Sequence, residues 1–139
     1  MIEIRDEQEV LVGRYLTFAA IQDALVEKMR TGIKLSELTA TYFQPCTVPL
    51  TVWLEESGVE AIRRKALTPR WVMTYFRQYQ DWYVDASNTI NTTKLEEDIA
   101  AHFEIDYEDG EGTKTEEYEE VEAVVDRAYN LLMATGEFN

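Results

Sequence analysis

DEQEVLVGRYLTFAAIQDALVEKMRTG, residues 6–32, is the stretch whose reading sets the fold class. Asp6 with Glu9 three residues on forms a capping box, the usual opening of a helix. Leu11, Tyr15, Phe18, Ile21, Leu25 and Met29 then recur at helical spacing and fall on one face. Gly13 costs such a helix about 1 kcal/mol, and Gly32, after Lys28 and Arg30, supplies a C-terminal stop. The spacing predicts one helix over residues 7–31, and with it a mainly α fold.

The chain beyond it reads the same way. Residues 35–43 suit either a short helix capped by Ser36, with Leu38 and Tyr42 inward, or a strand, and Pro45 ends either one. Pro49 tolerates a first helical turn, and Leu50, Trp53 and Leu54 form an apolar face as far as Gly58. Val59, Ile62 and Leu67 mark another short helix. A helix, glycine, helix arrangement with Arg63, Arg64 and Lys65 on the second helix invites comparison with a helix-turn-helix DNA reader. Arg64 falls where that motif needs an apolar residue, so an αα-hairpin with a solvated basic face is the better reading.

Thr68 and Pro69 open a helix, Thr as N-cap and Pro at the first helical position. It carries Trp71, Tyr75, Phe76, Tyr79, Trp82 and Tyr83 at three- and four-residue spacing, which makes residues 69–85 the expected spine of the core. Residues 88–92 read as a turn. Thr93 and Glu96 form a capping box before Leu95, Ile99 and Phe103. A last helix opens at Thr115 and runs to about residue 135, with Tyr118, Val121, Val125, Ala128 and Leu132 inward and Gly136 as its stop. The expected architecture is mainly α: a single domain, residues 1–139, of about five or six helices around the aromatic one. One short β-hairpin is expected near residues 105–115, turning at Asp109 and Gly110.

Composition narrows the function. No apolar run approaches the ~18 residues of a membrane span, and the acidic N-terminus is no basic signal-peptide opening. Cys46 is the only cysteine, so no internal disulfide forms. The reading is a soluble, cytoplasmic protein that makes no membrane contact. The net charge is −14, and residues 96–139 carry 15 acids against two bases, while residues 1–95 hold 12 against 11. A solubility adaptation would spread its acids evenly; this polarisation favours a specific electrostatic partner. Direct binding of nucleic acid is disfavoured, because phosphates need Lys and Arg.

Motifs that carry chemistry are scarce. Residues 106–117, DYEDGEGTKTEE, place Asp106, Glu108 and Glu117 at positions one, three and twelve of an EF-hand loop. Glu111 stands where the loop needs Gly, Gly110 where it needs a ligand and Thr113 where it needs an apolar residue, so any calcium site would be degenerate. One Cys and one His, Cys46 and His102, cannot build a zinc site unaided, and no local pattern marks them as a nucleophile and base. Phosphate-loop, dinucleotide and serine-hydrolase motifs are absent, so neither enzyme activity nor a cofactor is expected.

What remains is the acidic segment. Glu116, Glu117, Glu119, Glu120 and Glu122 span six helical steps, about 9 Å, or one charge per roughly 2 Å of axis. Duplex DNA carries one per ~1.7 Å. The expectation is a non-enzymatic interaction protein that binds a basic protein, a nucleic-acid-handling one, as an inhibitor, immunity protein or DNA mimic does. Asp106, Glu108, Asp109, Glu111 and those five glutamates are its candidate contacts. The alternatives are an oligomer assembled through exposed aromatics and the degenerate calcium module.

Overall fold

A computed structural model describes residues 1–43 and 46–135; the side chains of Phe43 and Cys46, and the stops read at Pro45 and Gly136, lie outside the description. The elements in order are β1 (Ile2–Arg5), β2 (Leu11–Tyr15), α1 (Phe18–Arg30), a single 3₁₀ turn (Leu35–Glu37), β3 (Thr39–Phe43) and β4 (Cys46–Pro49). After them come α2 (Leu50–Ala66), α3 (Pro69–Gln78), α4 (Gln80–Tyr83), α5 (Thr92–His102) and α6 (Glu116–Ala134). They form two compact units, Met1–Ala66 and Leu67–Asn139. The fold is mixed α/β, not mainly α. A four-stranded antiparallel sheet of order β2-β1-β3-β4 occupies the first unit.

The long helix over residues 7–31 does not form. Asp6 caps a turn instead: its Oδ1 accepts from the backbone N–H of Gln8 and of Val10, both at 2.9 Å. The Asp6 N–H donates to the Val10 carbonyl, and Glu9 takes φ 64°. This reverses the chain and pairs β1 with β2, so Ile4 is fully buried while Val10 and Leu11 stand 57% and 38% exposed. The period-two pattern of Ile2 and Ile4 is what wins. The helix proper starts at Phe18, where the Thr17 side chain accepts from Ala20 N–H. It ends as expected at Gly32, φ 98°, whose N–H reaches Met29 while that of Ile33 reaches Lys28.

Residues 35–43 resolve into the 3₁₀ turn and β3, with Leu35, Leu38 and Ala40 buried. The break in α2 falls at Glu55 (φ 63°, ψ 170°), and Gly58 lies in continuous helix against the Leu54 Cβ, so no αα-hairpin turns there. The basic triplet serves its own unit. Lys65 pairs with Asp23, Arg64 lies 3.9 Å from Glu60, and the carbonyls of Lys65 and Ala66 accept from Arg30.

In the second unit Thr68 and Pro69 begin α3 as read. The aromatic helix is not one spine, because it breaks at Tyr79 (φ −119°, ψ 31°), and only Phe76 and Tyr83 of its six rings are buried. Trp82 is 69% exposed. The centre of this unit is Val72 and Phe76 with Leu95, Ile99 and Phe103 of the α5 segment and Tyr118, Val121, Val125, Ala128 and Leu132 of α6. Asn91, not Thr93, caps α5, accepting from Lys94 N–H.

The α5 end repeats the α1 end with a different residue. Glu104, φ 57°, holds the position that Gly32 holds, with Glu104 N–H to Ala101 and Ile105 N–H to Ala100. An L-residue with a side chain is strained in this left-handed region. Glu104→Gly should therefore raise stability by about 0.5 kcal/mol, the relief of strain exceeding the entropy cost of glycine. Gly32→Ala should lower it by about 1 kcal/mol. Thermal unfolding of the two variants beside the parent measures both.

Candidate acidic binding surface

The candidate site lies on α5, the 103–115 connection and α6. Thr115 sets the geometry: its hydroxyl accepts from Tyr118 N–H to start α6 and donates to the Asp106 carbonyl at 2.6 Å. The connection folds back on itself at one bridge, Glu108 with Lys114. Asp109 Oδ1 accepts from Glu111 N–H (2.8 Å) and Thr113 N–H (3.0 Å), and Gly112, φ 80°, makes the left-handed step. A hairpin was expected here, but its tip is residues 110–112 and its left-handed residue is Gly112, not Gly110.

The nine expected contact residues do not behave alike. Asp106, Glu108, Glu111, Glu116 and Glu119 are exposed. The exposed Asp109 has committed one carboxylate oxygen to its own turn. Glu117 and Glu120 are half-buried and engaged within the protein. Glu122 is half-buried and turned to the hairpin, both oxygens accepting from Lys114 Nζ, at 3.0 and 3.2 Å. Acids in the first turn of α6 also suit its dipole, so Glu116, Glu117 and Glu119 stabilise the helix that displays them.

Sequence reasoning left Glu96 and Asp126 out of the site. Burial, then the neighbouring Glu122, with smaller contributions from Asp126 and Glu97, pushes the Glu96 carboxyl above its ordinary value, and Lys114 opposes this. Glu96 on α5 and Glu122 and Asp126 on α6 therefore form one field of like charge around Lys114. Tyr118 feels it too, its phenol raised by burial and then by Glu96, Glu97 and Glu122. The missed signal was spatial: Glu96 and Glu122 are 26 positions apart in sequence, and only the pairing of α5 with α6 brings them together.

The other candidates resolve differently. Among the described residues no group of three His, Cys, Asp or Glu is placed to hold a metal ion. His102 packs against Trp71, Tyr75 and Phe103, with ring centroids 5.1, 5.8 and 5.1 Å away, while Cys46 belongs to the other unit. Tyr83, whose hydroxyl donates to Asp98 at 2.7 Å and lies 3.2 Å from that of Tyr75, is driven well above the ordinary phenol range, first by burial. Among the described residues no helix is long and apolar enough to cross a membrane. No protein-family model, curated protein or solved structure matches the chain.

The field around Glu96 has a pH consequence. A carboxyl raised in the folded state favours folding while protonated; that contribution is complete below its unfolded pKa, near 4.5, and is lost as pH rises through the folded value. Glu96→Gln should then melt higher than the parent at pH 7, with the difference closing below about pH 4. Melting curves across that range test it, and a variant less stable at pH 7 would contradict the raised carboxyl.

Proposed function

We propose that the protein is a non-enzymatic binding protein whose C-terminal unit sets its carboxylates against a basic surface of another protein. Cofactors play no part in this reading. The observation that carries it is the display of Asp106, Glu108, Glu111, Glu116 and Glu119 to solvent on a segment whose one cation, Lys114, is engaged by Glu122. A partner arriving there meets carboxylates, and the single cation of the hairpin and the first two turns of α6, Lys114, is already paired with Glu122. The units are also unequal: residues 1–66 carry ten acids and eight bases, residues 67–139 seventeen and five. Such a surface attracts cationic partners quickly and in a salt-dependent way.

Charge spacing argues for the finer step, a basic groove that otherwise takes nucleic acid. Along the sequence the first two turns of α6 approach the linear charge density of a duplex, with Glu116 and Glu119 exposed there and the hairpin carboxylates beside them. Inhibition of a nucleic-acid-handling protein, as by an immunity protein or DNA mimic, follows from that spacing by analogy of charge alone. The protein should bind a short arginine-rich DNA-binding peptide at low salt, lose it at high salt and release it to added duplex DNA. The combined substitution of Glu116, Glu117, Glu119 and Glu120 by Gln should weaken this binding about four-fold or more, at roughly 0.2–1 kcal/mol per surface pair, with the helical circular dichroism retained. Binding that survives the four substitutions, or that DNA fails to displace, would sink the reading.

A second reading draws on Trp82, 69% exposed, and Tyr79, 40% exposed, as the contact of a self-assembled oligomer. It requires a mass by light scattering above that of the monomer, lowered by Trp82→Ala and little changed by salt.

A further inference from the structure

We propose that Lys114 is a positioning residue for the acidic surface, a latch that holds the 106–113 hairpin against α6 so that both sets of carboxylates present together. The proposal rests on the reading of that surface given above. Beyond the bridge to Glu108 and the Thr115 cap, a side-chain contact ties the hairpin to α6. There Lys114 Nζ donates to both Glu122 oxygens and sits 5.6 Å over the Tyr107 ring, which packs edge-on against Tyr118 at 4.6 Å. Glu122 of α6 and Tyr107 of the hairpin thus meet at one ammonium, and Tyr107 rests in turn on Tyr118 of α6. Tyr118 is buried in the core, whereas the Tyr107 ring is 49% exposed and its residue is tied to α6 through its carbonyl, which accepts from Thr115 N–H.

The electrostatics point the same way. Beyond its burial, Glu96 feels like charge from Glu122 and Asp126, and Lys114, which is paired with Glu122, opposes them. Without it Glu122 would act on Glu96 uncompensated, and the hairpin would be joined to α6 through Thr115, whose N–H donates to the Tyr107 carbonyl and whose hydroxyl donates to that of Asp106. A residue that lowers the net negative charge thereby strengthens an anionic site. Bulk charge predicts the reverse, and this separates the two.

Lys114→Gln makes the chain one unit more negative. If long-range charge alone governs binding, the variant takes the arginine-rich peptide more tightly. If Lys114 positions the hairpin, the variant binds it roughly three- to ten-fold more weakly, because the hairpin carboxylates no longer share one surface with those of α6. Hydrogen exchange reads the cause without any partner. The N–H groups of Asp109 and Thr113, bonded within the hairpin, should lose protection about ten-fold in the variant, while those in the middle of α6 keep theirs. Exchanging the pair, Lys114→Glu with Glu122→Lys, restores the contact at constant net charge and should restore protection. Unchanged hairpin protection in Lys114→Gln would overturn the proposal, as would an equal loss throughout α6, which marks a residue of general stability only. Failure of the parent protein to bind the peptide would sink the binding reading instead, and the exchange result would still decide whether Lys114 is the latch.

Discussion

A single carboxylate oxygen that accepts two backbone N–H groups organises this chain three times over. Asp6, Asp85 and Asp109 each accept, through Oδ1, from the residues two and four positions on. In each case the aspartate's own N–H donates to the carbonyl four residues on. The residue three positions on is left-handed: Glu9, Asn88 and Gly112. The residues flanking each turn pair across it: Arg5 with Leu11, Val84 with Ile90, Glu108 with Lys114. The chemistry is that of a short side chain close enough to its own backbone to compete with a helix for the same N–H groups. The residues beyond each turn decide what it becomes. After Asp6 the chain stays extended to Tyr15 and lays β2 against β1; after Asp85 and Asp109 a capping residue, Asn91 or Thr115, arrives one residue past the bridge and a helix begins at once.

That competition explains which parts of the sequence were readable. Thr68 with Pro69, and Thr115 before its glutamates, were legible as helix starts because in each the cap and the apolar face agree. The inward set of α6 was legible for the same reason, and all five of its residues are buried. Asp6 was misread because Asp with Glu three positions on is also a capping box, and Leu11 and Tyr15 happened to continue the phase of Phe18 and Ile21. The local alternative, a turn at Asp6 with β-rich flanks, carries only a two-residue apolar alternation, Ile2 and Ile4, as its signal. A sheet whose four strands have four or five residues each leaves a faint trace in sequence. Its register comes from pairing β1 with β3, more than 30 residues on, which no local window contains.

The site was legible as composition but not as arrangement. Counting acids and bases located the charge, and helical spacing separated the outward Glu116 and Glu119 from the inward Tyr118 and Val121. Neither operation could show that Glu122 turns toward Lys114, that Asp109 spends an oxygen on its own turn, or that Glu96 joins the field from another helix. The steep change in charge along the sequence, at residue 96, also falls well inside the second unit, which begins at Leu67. Within that unit α3 and the start of α5 carry Arg70, Arg77 and Lys94, so it is not uniformly acidic.

A dense set of carboxylates is tolerated on a small unit only if the fold compensates for its self-repulsion. The structure does so unevenly. At the start of α6 the helix dipole and solvent suffice, and Glu116 and Glu119 stay exposed. Between α5 and α6, where Glu96 is partly removed from water, solvent screening is reduced and a cation is needed; Lys114 is the one placed there. The hairpin that carries Lys114 also carries Asp106, Glu108, Asp109 and Glu111. The element that pairs with Glu122 is therefore the same one that displays these exposed carboxylates. Relieving repulsion inside and presenting charge outside depend on a single contact, which makes the order of the hairpin a condition of the acidic surface as well as a consequence of it.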